Sequence, residues 1–317
     1  MSLLLGIIKT ARPQQWIKNL ALYAALIFSG FFFYVPVDAP AYFWTVSYAF
    51  VTFCVLTSSI YFINDLFDYE ADKKHPFKKK RPIPSGVVSK KLAMLIAATG
   101  LVITFLLSLK LTLFFQLLVL GYAVLQFWYS KQLKHIPILD ISTIATGFLI
   151  RIYAGSVVVN LHMSVWFLLT VISASLFLAV GKRQSERTLL QANGGSSVGE
   201  TRKILTRYSQ RLLDQYTAMF AMATWLTYAL FAFQNEISTP ESFFADVYTL
   251  LPKALHSQKL LMLSVPFVIF GVMRYLQLIY ESNKGESPEK VLLQDKPLKI
   301  TVLLFGVLVM IIIYLLT

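Results

Sequence analysis

Nine stretches of this chain are apolar for long enough to cross about 30 Å of hydrocarbon. They fall near residues 17–35, 42–63, 92–109, 111–130, 138–159, 164–181, 216–234, 260–280 and 299–316. Lipid offers backbone N–H and C=O groups no partner, so a crossing segment must be a helix or a strand of a closed barrel. No ten-residue alternation of apolar and polar residues runs through the sequence, which leaves helices. The expectation is an all-α, polytopic integral membrane protein of about nine transmembrane helices, forming one domain over residues 1–317. Only 14% of residues are charged, where soluble domains carry about 25%. The run after Lys18 is longer than the apolar core of a cleavable signal, so the first span is expected to be retained. With Cys54 as its single cysteine, the chain cannot close an internal disulfide.

The basic residues predict an orientation. With the N-terminus on the cytoplasmic side, 25 of the 29 Lys and Arg residues fall on that side. Lys110, Lys253 and Lys259 fall outside, and Arg151 lies within a span. An odd number of spans then places the C-terminus outside. The three richest inner segments are motif loops at 64–91, 129–140 and 181–214. Topology and anionic lipid headgroups account for the net charge of +13, so no nucleic-acid partner is called for. A homo-oligomer is compatible with the sequence, which does not specify one.

The segment Ile63–Gly86, "INDLFDYEADKKHPFKKKRPIPSG", follows the second span. If the helix continues through Asp72, then Asp65, Asp68 and Asp72 share one face within about 60°, with Asn64 beside them and Glu70 about 140° away. Carboxylates this close repel unless a cation lies between them. Mg²⁺, with Mn²⁺ as the alternative, suits one or two carboxylates plus substrate phosphates. The bland alternative is a solvated helix end paired with Lys73 and Lys74. Behind the acids, Lys78 and Arg81 sit in a turn pinned by Pro82 and Pro84, where they could neutralise phosphate.

Other candidates cluster at the same membrane edge. Lys18 stands beside Arg12 and Trp16 at the first membrane entry. Tyr129 and Lys134 occupy the turn between the fourth and fifth spans, and Asp140 opens the fifth helix. Arg151 lies about 16 Å deeper on a similar face. A lone arginine at that depth needs a polar cavity or a partner. Two readings stay open for it, a substrate phosphate anchor and an internal structural pair. Lys182, Arg183 and Glu186 follow the sixth span. The histidines at 75, 135, 162 and 256 are scattered, and no hydrolytic triad or zinc spacing is present.

"NDLFDYEAD" resembles the N-D-x-x-D-x-x-x-D signature of the UbiA prenyltransferase superfamily. Six further segments are similar to one branch of it, the decaprenyl-phosphate phosphoribosyltransferases: "ARPQQWIKN", "HPFKKKRPIPSG", "YSKQLKHIPILDI", "LIRIYAGS", "AVGKRQSE" and "ESPEKVLLQDKPL". The resemblance implies a helix bundle around a central cavity open to the cytoplasm. It also implies Mg²⁺-dependent transfer of 5-phosphoribose from phosphoribosyl diphosphate (PRPP) to a polyprenyl phosphate, at the service of decaprenyl-linked sugar synthesis. Asp65, Asp68 and Asp72 would be the catalytic metal ligands. Asn64, Lys18, Lys78, Arg81, Tyr129, Lys134, Asp140, Arg151, Lys182, Arg183 and Glu186 would handle substrate. One departure is visible. Where most of the superfamily has a second aspartate-rich motif, this chain reads "VGKRQSE", cations in place of a carboxylate cluster, which suits two phosphorylated substrates. The rival readings are a prenyltransferase using a prenyl diphosphate and a transporter. A transporter would spread polar residues and broken helices through several spans, whereas here the charge gathers at one surface.

Overall fold

The computed structural model describes residues 2–74, 78–192, 207–235, 259–281, 291 and 294–315, with side chains up to 187 in the second of these ranges. All regular structure among them is helical. In chain order the helices are α1 (Leu3–Ala11), α2 (Tyr23–Phe28), α3 (Tyr42–Phe67), α4 (Tyr69–Lys74), α5 (Lys90–Ser108), α6 (Leu113–Lys131), α7 (Leu139–Val157), α8 (Val165–Ala192), α9 (Gln210–Gln234), α10 (Val265–Tyr280) and α11 (Lys296–Tyr314). Short 3₁₀ helices occupy Pro13–Leu22, Lys78–Lys80, Leu133–His135 and Leu260–Ser264. Side-chain oxygens cap several N-termini. Ser89 receives the Leu92 N–H at 3.2 Å, Thr112 that of Phe115 at 3.3 Å and Ser209 that of Leu212 at 3.1 Å.

Among the described residues, seven helices are long and apolar enough to cross a membrane: α3, α5, α6, α8 to Arg187, α9, Leu260–Tyr280 and α11. The expected count of nine is not reached, and the shortfall lies at the first and fifth runs. The first run winds as a 3₁₀ helix, then as the six-residue α2, and breaks before Gly30, whose φ of 79° favours glycine. The fifth run forms α7 at full length, but Asp140, Arg151 and its hydroxyl residues dilute its apolarity. Large apolar side chains such as Leu95, Phe105, Phe114 and Leu120 stand exposed on α5 and α6, as lipid-facing residues do.

The chain divides into two compact units. The first is built mainly from Met1–Leu26 and Phe32–His162, the second from Ile27–Phe31, Met163–Gly195 and Tyr208–Thr317. In the first, Leu22, Leu26, Phe53, Leu56, Phe115, Tyr122 and Ala154 form a buried core. The Phe53 ring meets Phe115 and Tyr122 at 5.8 and 5.7 Å. A satellite core of Phe62, Ile83, Val88, Ala93 and Ala97 ties the turn after α4 to α3 and α5, with Ile7 and Ala11 of α1 packed on it. A pocket of about 250 Å³ opens between α3, α5 and α6. Its walls, including Ile60, Leu101 and Phe127, contain none of the candidate site residues. In the second unit Phe177, Ala221, Tyr275, Ile279 and Leu298 pack together.

Candidate active site

The acid stripe forms at the end of α3. The helix stops at Phe67 because Asp68 takes φ −86° and ψ 1°, outside the helical well. The Asp68 N–H still reaches Asn64 O at 3.0 Å, and Asp72 N reaches Asp68 O at 2.7 Å. α4 therefore resumes within one residue, and the three aspartates keep roughly the face that a continuous helix would give them. Asp65 and Asp72 are buried, whereas Asp68 is partly open. Glu70 points away and lies 3.6 Å from Lys90 Nζ, with both side chains exposed. An exposed pair of this kind contributes under about 1 kcal/mol. Glu70→Ala is accordingly expected to leave turnover within about twofold of wild type and stability within about 0.5 kcal/mol. Initial rates and a thermal melt check this, and a tenfold loss of rate would displace the facing assignment.

The partners of the acids are not Lys73 and Lys74, whose side chains are exposed. Arg81 Nη1 donates to Asp72 Oδ2 at 2.6 Å and to Asp65 Oδ1 at 3.3 Å. Arg12 Nη2 donates to the same Asp65 Oδ1. Lys134, from the Leu133–His135 turn, donates to Asp68 Oδ1. Three carboxylates thus meet three cations brought in from three separate segments.

The fold builds each cation's position. Arg81 follows the Lys78–Lys80 turn, and its backbone is fixed by Arg81 N to Lys78 O at 2.9 Å and Ser85 N to Arg81 O at 2.9 Å. Buried Ile83 and Val88 anchor that turn in the satellite core. Arg12 ends α1 in the left-handed conformation, φ 51° and ψ 58°, which costs a non-glycine residue about 1–2 kcal/mol. Pro13 follows, and the residue before proline is disfavoured in the α region, so the helix must break there. Ser58 of α3 receives Trp16 Nε1–H at 3.0 Å and donates to Ala11 O at 3.1 Å, holding both flanks of Arg12 to α3. The Arg12 guanidinium lies 4.8 Å over the Tyr61 ring.

Arg151 is engaged by neutral partners within the first unit. It is buried, and its nitrogens bond Asn19 Oδ1 at 2.8 Å, Gly147 O at 2.8 Å and the Tyr122 hydroxyl at 2.6 Å. Its guanidinium lies 4.8 Å over the Tyr122 ring. Asn19 also donates to Thr57 Oγ1 at 3.2 Å. Asp140 is fully buried in the first turn of α7, where a carboxylate complements the helix dipole. Asn64, Lys78 and Tyr129 are partly buried, and Lys18 lies on the 3₁₀ helix that carries Asn19.

Lys182, Arg183 and Glu186 belong to the second unit, on α8. Arg183 is fully buried and donates to Glu186 Oε2 at 2.6 Å. In the same unit Asp214 Oδ1 accepts from Gln184 at 2.9 Å, Gln210 at 3.1 Å and the Tyr280 hydroxyl at 2.9 Å. Asp295 of the "ESPEKVLLQDKPL" segment caps α11, taking Leu298 N at 2.9 Å, and holds Arg274 at 2.8 and 3.2 Å. Residues 75–77, 193–206, 236–258 and 282–290 lie outside the described residues.

Sequence reasoning left Arg12, Asn19, Tyr122 and Asp214 out of the candidate set. For Arg12 a signal existed: a basic residue at a forced helix break, Arg-Pro, beside the membrane entry. The other three reveal themselves only through long-range pairing.

Among the described residues no three His, Cys, Asp or Glu side chains stand together as a ready metal cage. The donor set nevertheless fits a divalent ion. Asp65 and Asp72 each turn an oxygen to one and the same nitrogen, Arg81 Nη1, so those oxygens can address one cation. Two carboxylates plus substrate phosphates is the usual provision for Mg²⁺.

The chain is thus a helical integral-membrane protein with buried carboxylates at the end of a spanning helix, interleaved with cations. The chain belongs to the UbiA prenyltransferase family, whose pattern it matches over residues 22–301. It is 37% identical over 303 residues to the decaprenyl-phosphate phosphoribosyltransferase of Mycolicibacterium smegmatis, covering 94% of this chain and 89% of that one. The enzyme of the same description from Mycobacterium tuberculosis is 32% identical over 304 residues, covering 95% and 92%. Among solved structures, a UbiA homolog from Archaeoglobus fulgidus bound to GPP and Mg²⁺ shares the fold at a TM-score of 0.67 and 18% identity, covering 97% of this chain and 99% of the other.

Proposed function

We propose that this protein transfers the 5-phosphoribosyl group of PRPP to the phosphate of a polyprenyl phosphate, decaprenyl phosphate or a close analogue. The observation that carries this reading is the 32–37% identity, over nearly the whole chain, to enzymes described as decaprenyl-phosphate phosphoribosyltransferases. The acid stripe and its cations give that reading a chemistry. When bound, a divalent ion, Mg²⁺ or Mn²⁺, on Asp65, Asp72 and Asp68 supplies positive charge for the departing diphosphate. Arg81, Arg12 and Lys134 bind and orient the donor's phosphates, Arg through its planar fork. Lys182 and Arg183 of the second unit are assigned to phosphate binding on the same grounds of charge, with Glu186 fixing Arg183. In the reaction the bond from ribose C1 to the diphosphate oxygen breaks, and one from C1 to a lipid phosphate oxygen forms on the opposite face. The nucleophile is already an anion, so no strong general base is needed, and positioning and electrostatics supply most of the rate.

PRPP is water-soluble, and the basic residues weight one side of the membrane. Both support a reading in which the acid stripe and the N-terminus lie at the cytoplasmic face and the C-terminus outside. Purified protein in nanodiscs, given radiolabelled PRPP, decaprenyl phosphate and Mg²⁺, is expected to yield a labelled lipid. A parallel reaction offers geranyl diphosphate and an aromatic acceptor. No labelled lipid in the first, with prenylated product in the second, would replace PRPP by a prenyl diphosphate as donor.

A further inference from the structure

We propose that Arg12 is the resident counter-ion of the acid stripe, and that its exchange from Asp65 onto the phosphates of an incoming donor couples donor binding to metal binding. The inference rests on reading Asp65 as a metal ligand. It does not depend on which diphosphate is the donor.

Four observations converge. First, Asp65 Oδ1 is doubly engaged, by Arg12 Nη2 and by Arg81 Nη1, so a metal cannot use that oxygen fully while both guanidinium groups stay. Second, the two partners differ in freedom. The Asp65 side chain is 2% exposed, whereas that of Arg12 is 25% exposed, so the cation is the member able to turn toward a ligand. Third, Arg81 has a second carboxylate, Asp72 at 2.6 Å, while the only ion pair found for Arg12 among the described residues is with Asp65. Of the two guanidinium groups on Asp65, Arg12 is thus the one with no second carboxylate to hold it. Fourth, its backbone is the constrained part. The left-handed φ at Arg12 and the Ser58 bonds to Ala11 and Trp16 fix where the side chain starts. The Tyr61 ring offers a flat apolar surface along which the guanidinium can slide.

The physical consequence is reciprocal coupling. Without a donor, Arg12 competes with a divalent ion for Asp65. With a donor, the phosphates draw Arg12 off and free the carboxylate for metal, and each ligand raises the affinity for the other by the same factor. A purely structural Arg12–Asp65 pair predicts the opposite sign. Removing it would disorder Asp65 and leave metal binding unchanged or weaker.

The test is Mn²⁺ binding followed by electron paramagnetic resonance on the full chain in nanodiscs, without lipid acceptor and therefore without turnover. Inorganic diphosphate serves as the donor probe. Wild-type protein is expected to bind Mn²⁺ weakly alone and on the order of tenfold more tightly with diphosphate. In Arg12→Gln the diphosphate-free affinity is expected to rise by about tenfold, and the enhancement to shrink to about twofold. Arg12→Lys keeps the charge and is expected to keep the free site weak. An unchanged or lowered diphosphate-free affinity in Arg12→Gln overturns the proposal. So does a wild-type affinity that ignores diphosphate, a comparison that needs no variant to fold. If wild type binds no Mn²⁺ under either condition, the metal-ligand reading of Asp65 is what fails.

Discussion

Asp65→Asn is expected to reduce transfer by on the order of 10³-fold or more while the protein still folds. The side chain is almost inaccessible, and one of its oxygens is shared by two guanidinium groups. Asparagine preserves shape and a carbonyl oxygen but removes the charge that would hold a divalent ion and orient both arginines. Losing one preorganised electrostatic group in a water-poor site typically costs 10²–10³ in rate, and here two cations, and with them any divalent ion held there, would lose their common anchor. The fold survives because neither arginine is stranded. Arg81 keeps Asp72 at 2.6 Å, and Arg12 is exposed enough to be hydrated. The check is kcat with PRPP and polyprenyl phosphate in nanodiscs, beside a thermal melt of the same preparation. Retention of a tenth of wild-type activity by a folded variant would remove Asp65 from the machinery.

The stripe itself was legible because helical periodicity is local. Four-residue steps decide which side chains share a face, and the one-residue break at Asp68 is too short to rotate Asp72 away. The apolar runs were legible for the same reason, since length and apolarity are properties of a segment. Seven of the nine meet the length and apolarity of a crossing helix among the described residues; the other two depart from the average in winding or polarity, at the Pro13–Leu22 3₁₀ helix and at α7. Pairings across the chain were out of reach. Arg12 meets Asp65 across 53 residues, and Arg151 meets Asn19 across 132. Asparagine and tyrosine in apolar stretches carry no mark that says which buried charge they serve. The chain's membership in its family and its all-helical fold could be read from the sequence, whereas the neutral ring around Arg151 required coordinates.

Beside that ring lies a glycine packed directly against backbone. Gly155→Ala is expected to destabilise the protein by about 3 kcal/mol, the upper end for overpacking, and to suppress activity with it. A Cβ on Gly155 would overlap Leu22 O and lie 2.6 Å from Leu22 C and 2.8 Å from Leu22 Cα. These are backbone atoms, so no side-chain rotation relieves the clash, and α7 must separate from the Pro13–Leu22 helix. The same seam holds the next layer. Arg151 lies one α-helical turn before Gly155, and Asn19 one 3₁₀ turn before Leu22, so the layer that carries the clash stands beside the one that carries the 2.8 Å Arg151–Asn19 bond. Opening the seam by an ångström or more breaks that bond and leaves a buried guanidinium short of an acceptor, which adds to the cost. It also shifts the segment that begins at Arg12, which is why turnover falls even in molecules that remain folded. A thermal midpoint lowered by on the order of 5–10 °C is the expected reading. Gly121→Ala is the matched control, since a Cβ there meets nothing within 4 Å and alanine favours the helix by up to about 1 kcal/mol. If Gly155→Ala melts with wild type, the close approach of α7 to Leu22 is not a feature of the folded protein.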